Sequence, residues 1–275
     1  MKGEGSPLSR QAAALLSTHE PTVLIAVTHT KGSVPREAGT RMLVTASQAI
    51  GTIGGGHLEL KAIAFARALL ASADSAPRSQ HYPLGPALGQ CCGGAVTLGF
   101  ERLQAQHLLA WPTPPPRFQL QLYGAGHVGR AIARLLATLN VSVDWIDERE
   151  DEFPLTLVDA GWPGHIRKIA VDAVEGEVRH APANSFYLVL THQHDLDLRI
   201  TEAILRRGDF GLLGLIGSRT KRQRFEHRFR ERGIAPELIA RMVCPIGLPG
   251  IAGKQPEVIA MAVLAQLLAA SAATG

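Results

Sequence analysis

The stretch from Phe118 to Arg149 decides the fold and reads FQLQLYGAGHVGRAIARLLATLNVSVDWIDER. Residues 118–123 predict a strand, and three glycines follow it in a turn. The next residues predict a helix, because apolar side chains recur every three to four positions along one face. Residues 141–146 predict a second strand. Strand, glycine turn, amphipathic helix and strand in this order are typical of the first half of a dinucleotide-binding unit.

The glycine turn places Gly124, Gly126 and Gly129 in the spacing G-x-G-x-x-G. Gly124 permits a tight turn, Gly126 leaves room for a phosphate, and Gly129 lets the helix pack close to the strand. Asp147 lies 23 positions after Gly124, near the distance at which an acid usually binds a ribose. The alternative is a fold of this type retained as a scaffold with a vestigial site.

The composition indicates a globular protein, since 46% of the 275 residues are hydrophobic and 19% are charged. The net charge of +4 suits anionic ligands or an acidic partner but is too small to indicate nucleic-acid binding. Three cysteines, two of them adjacent, do not suit a secreted disulfide framework. The N-terminus lacks the apolar core of a signal peptide, and the apolar run 258–270 is short for a membrane span. A soluble, cytoplasmic protein without membrane partners is expected.

Four prolines in WPTPPPR, residues 111–117, mark the clearest boundary in the chain. Proline-rich segments stop helices and favour stiff, extended structure. The expected organisation is α/β throughout. An N-terminal α/β domain over 1–110 is followed by a linker over 111–117 and a Rossmann-like domain with a mostly parallel sheet over 118–275.

Two segments before this boundary carry residues suited to anions. The loop 29–36 reads HTKGSVPR and contains Lys31 and Arg36, and Arg41 opens the next predicted strand. Gly54–Gly56 precede a predicted helix, so their bare N–H groups can converge on an anion. A flexible turn or close packing of strands explains three glycines equally well.

The adjacent Cys91 and Cys92 lie between glycines in GQCCGG, residues 89–94. Glycines give a ligand access to the sulfurs, so one interpretation is sulfur or metal chemistry, or a thiol held at a bound cofactor. The other interpretation is burial of the thiols as small hydrophobic side chains. No C-x-x-C pair is present, which disfavours a zinc site.

Two further segments follow predicted strands of the second domain, where open α/β sheets bind ligands. His192, His194 and Asp197 form the pattern H-x-H-x-x-D, which suits metal ligands, an acid/base pair, or contacts with a ligand or subunit. Gly217 and Ser218 close the next strand and open a basic helix, so they resemble a second phosphate-facing turn. The last predicted helix is apolar all round, which suggests burial in the core or in a subunit interface, and a homodimer is therefore one expectation.

Five segments together resemble the xanthine dehydrogenase accessory protein family, XdhC/CoxI. They read TKGSVPREAGTRMLV, GTIGGGHLE, CCGGAVTL, LYGAGHVGRAIARLL with DER, and THQHDLD with LIGSRTKR and CPIGLPG. The resemblance covers most of the chain. Gly129 occupies a place where alanine is common in the family, and this difference is expected to change little sterically. It implies a maturation chaperone rather than an enzyme, one that binds molybdenum cofactor and helps deliver its sulfurated form to a xanthine dehydrogenase-type molybdoenzyme. It also implies a cysteine desulfurase as the sulfur source, and the cofactor form, with or without a nucleotide, stays open.

The residues expected to contact this cofactor are Lys31, Arg36, Arg41, Gly54, Gly55, Gly56, Cys91, Cys92, Gly124, Gly126, Gly129, Asp147, His192, His194, Gly217 and Ser218. No catalytic residue and no metal ligand is predicted. Two other functions stay open. The first is an NAD(P)-dependent oxidoreductase, although the chain has no Tyr-x-x-x-Lys pair for hydride-transfer chemistry. The second is an interaction adaptor whose nucleotide site is vestigial.

Overall fold

The computed structural model describes residues 6–73, 76–84, 93–111, 115–156 and 161–272. The chain divides into two compact units, Met1–Thr113 and Pro114–Gly275, called unit 1 and unit 2 below. Within the described ranges, no helix combines the length and the apolar character that a membrane span requires.

Unit 1 is an antiparallel sheet with helices on both faces. Its elements are α1 (Pro7–Ser17), β1 (Val23–Lys31), β2 (Arg41–Val44), β3 (Ala49–Gly51), α2 (Gly56–Ala71), β4 (Arg78–Pro83), β5 (Ala95–Arg102) and α3 (Ala105–Leu109). The strands lie in the order β3-β2-β1-β5-β4, and every pair is antiparallel. Side chains alternate along β1, so Ile25 packs towards α2 while Leu24 packs with residues of α1 on the other face.

Unit 2 is a parallel sheet with helices on both faces. Its elements are β6 (Gln119–Tyr123), α4 (His127–Leu136), β7 (Ser142–Asp147), β8 (Ile166–Ala170), β9 (Phe186–Val189), α5 (His194–Arg207), β10 (Leu212–Leu215), α6 (Arg219–Glu231), α7 (Pro236–Ala240), β11 (Met242–Val243) and α8 (Pro256–Ala272), with short 3-10 turns at Glu150–Glu152 and Val174–His180. The strand order is β11-β10-β9-β6-β7-β8, and all pairs are parallel. This is the doubly wound order of a dinucleotide-binding fold, so the α/β class with a mostly parallel sheet is confirmed.

The sheet of unit 2 is buried on both faces, which explains the continuous apolar runs of its strands. Helices α4 and α8 pack over the face that carries Leu122 and Trp145, and α5 and α6 pack over the face that carries Tyr123. Helix α8 is therefore apolar partly because it packs against α4 in the core. Gln266, a polar residue in the middle of this helix, accepts the N–H of Gly247 at 2.8 Å and so anchors the loop that precedes the helix.

The carboxyl ends of the parallel strands gather the candidate residues of unit 2 at one edge. The chain passes from β6 outward to β8 and then returns to place β9 on the other side of β6. The switch point lies between the end of β6, where Gly124 begins the glycine turn, and the end of β9, which leads to His192. In sheets of this type a ligand crevice opens at that point.

Candidate functional site

The glycine turn presses directly against the end of β9. Gly124 has φ +118°, and a Cβ at this position would lie 2.4 Å from the carbonyl oxygen of Leu190. No L side chain fits that space or adopts that backbone angle without strain. The turn is therefore fixed at the switch point by the packing of bare backbone.

The start of α4 is open on the side where a phosphate would approach. A Cβ at Gly126 would meet no atom within 4 Å. The N–H groups of Gly126, His127 and Val128 have no hydrogen-bond partner among the described residues, while the N–H of Arg130 donates to the Gly126 carbonyl at 2.9 Å. Three free donors at the positive end of a ten-residue helix suit an anion.

Gly129 is in a much tighter position than the sequence suggests. A Cβ there would lie 2.0 Å from the carbonyl oxygen of Gly124, which itself accepts the indole N–H of Trp145 at 3.0 Å. The expectation that alanine at position 129 changes little sterically is wrong. The first turn of α4 touches the glycine turn through backbone alone, so there is no room for a methyl group.

Asp147, the expected ribose-binding acid, already accepts four hydrogen bonds from the protein. Its Oδ1 accepts the backbone N–H and the Nε–H of Arg149, both at 2.9 Å. Its Oδ2 accepts the N–H of Ala125 at 2.6 Å and the Nη2–H of Arg149 at 3.0 Å. Burial raises the pKa of Asp147, but hydrogen bonds from Arg149 and Ala125 outweigh it, so the pKa lies below the usual range. Asp147 thus fixes the glycine turn to the end of β7 through its hydrogen bond with Ala125.

The expected group His192, His194 and Asp197 does not come together. The Nε2 of His192 lies 3.5 Å from the carboxylate of Glu148, which follows β7, so this contact crosses the end of β6. His194 is exposed at the first position of α5. Asp197 is buried and forms an ion pair with Lys221. Over the described residues, no three His, Cys, Asp or Glu side chains are placed to hold a metal ion.

Asp197 and Lys221 form a buried ion pair that joins two loops of the carboxyl edge. The Nζ of Lys221 lies 2.5 Å from Oδ2 of Asp197 and also donates to the carbonyl of Ile216 at 2.8 Å. The other carboxylate oxygen accepts the N–H and the hydroxyl of Thr191, at 3.0 and 2.8 Å. The sequence patterns did not reveal this ion pair, because its partners are 24 residues apart and no local motif contains both.

Gly217 and Ser218 form the start of α6 beside a small basic cleft. The Ser218 hydroxyl accepts the N–H of Lys221 at 3.2 Å and so caps the helix. The cleft has a volume of about 180 Å³, and its walls include Gly217, Ser218, Arg224 and Arg228. Arg228 lies 3.7 Å from Asp195, while Arg224 has no ion-pair partner in the described parts of the chain.

In unit 1, three sequence motifs converge beside the ends of β1 and β5. Lys31 pairs with Ala95 across the sheet, and a Cβ on Gly94 would lie 2.5 Å from the carbonyl oxygen of Lys31. A Cβ on Gly54 would lie 2.6 Å from the ring of Pro35. The loop 31–36 is thus in contact with the glycine turn on one side and with the end of the CCGG motif on the other.

Lys31 and Arg36 of this loop are exposed, and neither has an ion-pair partner among the described residues. Cys91 and Cys92, which precede Gly93 in the chain, lie outside the described residues. The third cysteine, Cys244, is buried at the end of β11 in unit 2, where burial raises the pKa of its thiol. Lys31 and Arg36 are therefore available to bind an anion in this region.

The glycine turn at 54–56 already holds a carboxylate of the protein. An oxygen of Glu59, in the first turn of α2, accepts the Thr52 hydroxyl at 2.5 Å and the N–H groups of Ile53 and Gly55 at 3.1 Å each. Glu59 thus takes one of the three glycine N–H groups that the sequence suggested for an external anion, and the Thr52 hydroxyl accepts a second, that of Gly54, at 3.1 Å. A second negative group here would be repelled by Glu59, so the geometry weighs against a phosphate at this turn.

Arg41 is separated from the other cations of unit 1. Its guanidinium carbon lies 4.8 Å from the centre of the Trp111 ring, on the sheet face that α1 and α3 cover. Its Nη1 is buried without a hydrogen-bond partner in the described ranges. Burial lowers the pKa of this guanidinium, and the nearby Glu101 opposes that effect. Arg41 therefore packs within unit 1 and does not join Lys31 and Arg36.

Fold and site together define a two-unit protein with a Rossmann-type second unit and basic, glycine-rich loops in both halves. The sequence profile described as XdhC Rossmann domain matches residues 120–267, and that of the XdhC and CoxI family matches residues 15–83. The chain belongs to the XdhC and CoxI family.

One relative and one solved structure extend this comparison. The uncharacterized protein YqeB of Escherichia coli K12 is 31% identical over 266 residues, which are 94% of this chain and 45% of YqeB. The chain thus spans about half the length of that relative. A Bacillus halodurans crystal structure, described as a xanthine dehydrogenase, matches with a TM-score of 0.74 at 19% identity over 97% of this chain and 96% of that chain. At this identity the likeness concerns the fold alone.

Proposed function

We propose that this chain is an accessory protein that binds molybdenum cofactor, assists its sulfuration and delivers it to a xanthine dehydrogenase-type molybdoenzyme. Membership of the XdhC and CoxI family supports a role in xanthine dehydrogenase maturation. A cysteine desulfurase is the proposed source of the sulfur. The protein acts as a chaperone for the cofactor and not as an enzyme of purine oxidation.

The convergence of loop 31–36 with Gly54 and Gly94 in unit 1 carries this proposal. Molybdenum cofactor is a pterin dithiolene with a terminal phosphate, so its protein site needs cations and access to the metal end. Lys31 and Arg36 offer two exposed cations without competing carboxylates as ion-pair partners in the described parts of the chain. The motif that ends at Gly94 contributes Cys91 and Cys92, which are the proposed contacts of the molybdenum end.

The turn at Gly124–Gly129 offers a separate anion site in unit 2. Its three free N–H groups meet no protein carboxylate, in contrast to the turn at Gly54–Gly56, where Glu59 is already bound. We infer that a phosphate binds at the start of α4 rather than at the start of α2. The turn at Gly217–Ser218 and the side chains of His192 and His194 line the same sheet edge and are proposed as secondary contacts.

The test of cofactor binding is anaerobic purification followed by molybdenum analysis and pterin fluorescence. Cys92→Ala is expected to lower bound molybdenum and pterin several-fold without changing the unfolding temperature, and Cys91→Ala is compared beside it. The matched control is Cys244→Ala, which removes a thiol from unit 2. If Cys92→Ala and Cys91→Ala both retain full cofactor loading, the cysteine pair does not contact the cofactor.

The cation pair is tested in the same way. Lys31→Gln and Arg36→Gln are each expected to weaken retention of the pterin by about tenfold, because each removes one charge-assisted contact. Lys61→Gln, on the exposed side of α2, removes the same charge elsewhere in unit 1 and should leave loading unchanged. Equal losses in all three variants would point to net charge and contradict a specific site.

One observation and one experiment separate this proposal from its rivals. An NAD(P)-dependent oxidoreductase requires ribose recognition, and all the acceptor positions of Asp147 are filled by Arg149 and Ala125. An adaptor with a vestigial site predicts tight binding to a molybdoenzyme with no pterin at any stage of purification. Co-purification with a client enzyme, measured with and without bound pterin, distinguishes the adaptor from the cofactor chaperone.

A further inference from the structure

Ribose recognition in dinucleotide-binding folds depends on a free carboxylate at the end of the second strand. The acid accepts hydrogen bonds from the ribose hydroxyls, while the phosphates lie on the glycine turn. A carboxylate has about four lone-pair positions for such donors. Asp147 stands at this position, at the end of β7, and its side chain is 2% exposed.

All four positions of Asp147 are taken by the protein. Three are filled by the backbone N–H, Nε–H and Nη2–H of Arg149, and the fourth is filled by the N–H of Ala125. A ribose hydroxyl can bind there only if a donor of Arg149 leaves. The guanidinium is also held from its other side, because its Nη1 lies 3.2 Å from the carboxylate of Glu152.

The surroundings of Arg149 also disfavour the phosphorylated dinucleotide. In NADP-binding sites an arginine meets the 2′-phosphate in place of the acid. Here the guanidinium is paired with both Asp147 and Glu152, and Glu148 adds a third carboxylate that acts on it. A 2′-phosphate would therefore meet three carboxylates, and both nearby guanidinium groups, those of Arg149 and Arg130, already pair with carboxylates of the protein. The contact between Glu148 and His192 further crosses the end of β6, where a dinucleotide would lie.

We propose that Arg149 is a specificity-determining residue that excludes nicotinamide dinucleotides from this fold by occupying the carboxylate of Asp147. The glycine turn then accepts a phosphate ester that makes no ribose contact at the end of β7. This inference concerns the turn of unit 2 alone and holds whether or not unit 1 binds molybdenum cofactor.

The experiment replaces the arginine and measures a gain of binding. NADH and NADPH are titrated separately into the full chain, and binding is followed by nucleotide fluorescence and by calorimetry. The variants are Arg149→Ala, Arg149→Gln and the double variant Arg149→Ala with His192→Ala. Arg134→Ala is the matched control, since it removes an exposed arginine from α4 without a contact to Asp147.

Wild type and Arg134→Ala should show no saturable binding of either nucleotide. Arg149→Ala should bind NADH saturably, with a Kd at least about tenfold below the highest concentration at which wild type shows no binding, because a freed carboxylate gains hydrogen bonds to the ribose. Saturable binding of NADH or NADPH by wild type, as tight as in Arg149→Ala, would overturn the proposal. So would a folded Arg149→Ala protein that gains no binding, if the double variant also gains none. Circular dichroism verifies the fold of each variant.

Discussion

Replacement of Gly129 by alanine tests how tightly the glycine turn is built. The new Cβ would lie 2.0 Å from the carbonyl oxygen of Gly124 and 3.3 Å from a methyl carbon of Leu190. Since real Cβ contacts essentially never fall below 3.0 Å, α4 and the turn must separate by about 1 Å. The carbonyl cannot move freely, because it accepts the buried indole N–H of Trp145.

The expected cost follows from two opposing terms. Overpacking of a rigid site costs about 1–3 kcal/mol, and a contact with backbone carbonyl places Gly129→Ala at the upper end. Alanine is favoured over glycine within a helix by about 1 kcal/mol, which offsets part of that cost. The net loss is about 2 kcal/mol in the free energy of unfolding. For a unit of this size that corresponds to a fall in Tm of about 4–8 °C.

The assay is thermal and urea unfolding of the full chain, with Gly176→Ala as the control. A Cβ at Gly176 meets no atom within 4 Å, so this substitution should leave Tm unchanged or raise it slightly. Gly126→Ala, also in open space, should retain most of the stability while it hinders a phosphate at the turn. A Tm of Gly129→Ala at or above that of wild type would refute the steric argument.

Three further predictions concern carboxylates that form hydrogen bonds or ion pairs within the protein. Lys221→Met should destabilise the fold by about 3–5 kcal/mol in urea unfolding, and adding Asp197→Asn should recover part of that loss, since an unpaired buried charge is the main cost. Because the pKa of Asp147 is lowered in the fold, its contribution to stability is complete above its ordinary pKa of about 4 and is lost as the pH falls through the lower folded value. Thermal unfolding between pH 5 and pH 2 should therefore show a steeper loss in wild type than in Asp147→Asn. Glu59→Ala should cost about 1–3 kcal/mol in the same assay and Glu59→Gln less, because the amide oxygen still accepts the backbone N–H groups.

The sequence predicted the core of unit 2 well because its signals are local. The strand predicted over 118–123 is observed as Gln119–Tyr123, and the strand predicted over 141–146 is observed as Ser142–Asp147. Apolar periodicity and glycine spacing act within about thirty residues, so no knowledge of the tertiary structure is needed. The parallel order of the strands then follows from the right-handed crossovers that such units require.

The hydrogen bonds and close contacts of each side chain could not be predicted from the sequence, since they depend on partners that the fold brings together. Asp147 lies two positions from Arg149, yet only the structure places a donor of Ala125 on the same carboxylate. The steric limit at Gly129 likewise arises from the position of the Gly124 carbonyl, which no sequence pattern records. Local patterns specify where a loop lies, whereas its free donors and acceptors are decided by tertiary contacts.

Carboxylates that accept backbone N–H groups explain which of the glycine-rich loops can receive an external anion. Glu59 fills the turn at Gly54–Gly56, and Asp197 fills the loop after β9 through Thr191. In the turn at Gly124–Gly129, Asp147 accepts only the N–H of Ala125. Each of these acids satisfies backbone N–H groups and so fixes its loop, but each also repels a phosphate from the same place. An anion therefore meets least resistance where free donors have no acid bound to them, and both the start of α4 and the loop with Lys31 and Arg36 meet this condition among the described residues. A sulfate or phosphate ion titrated into the protein should protect those two regions from hydrogen exchange or modification and leave the start of α2 unchanged.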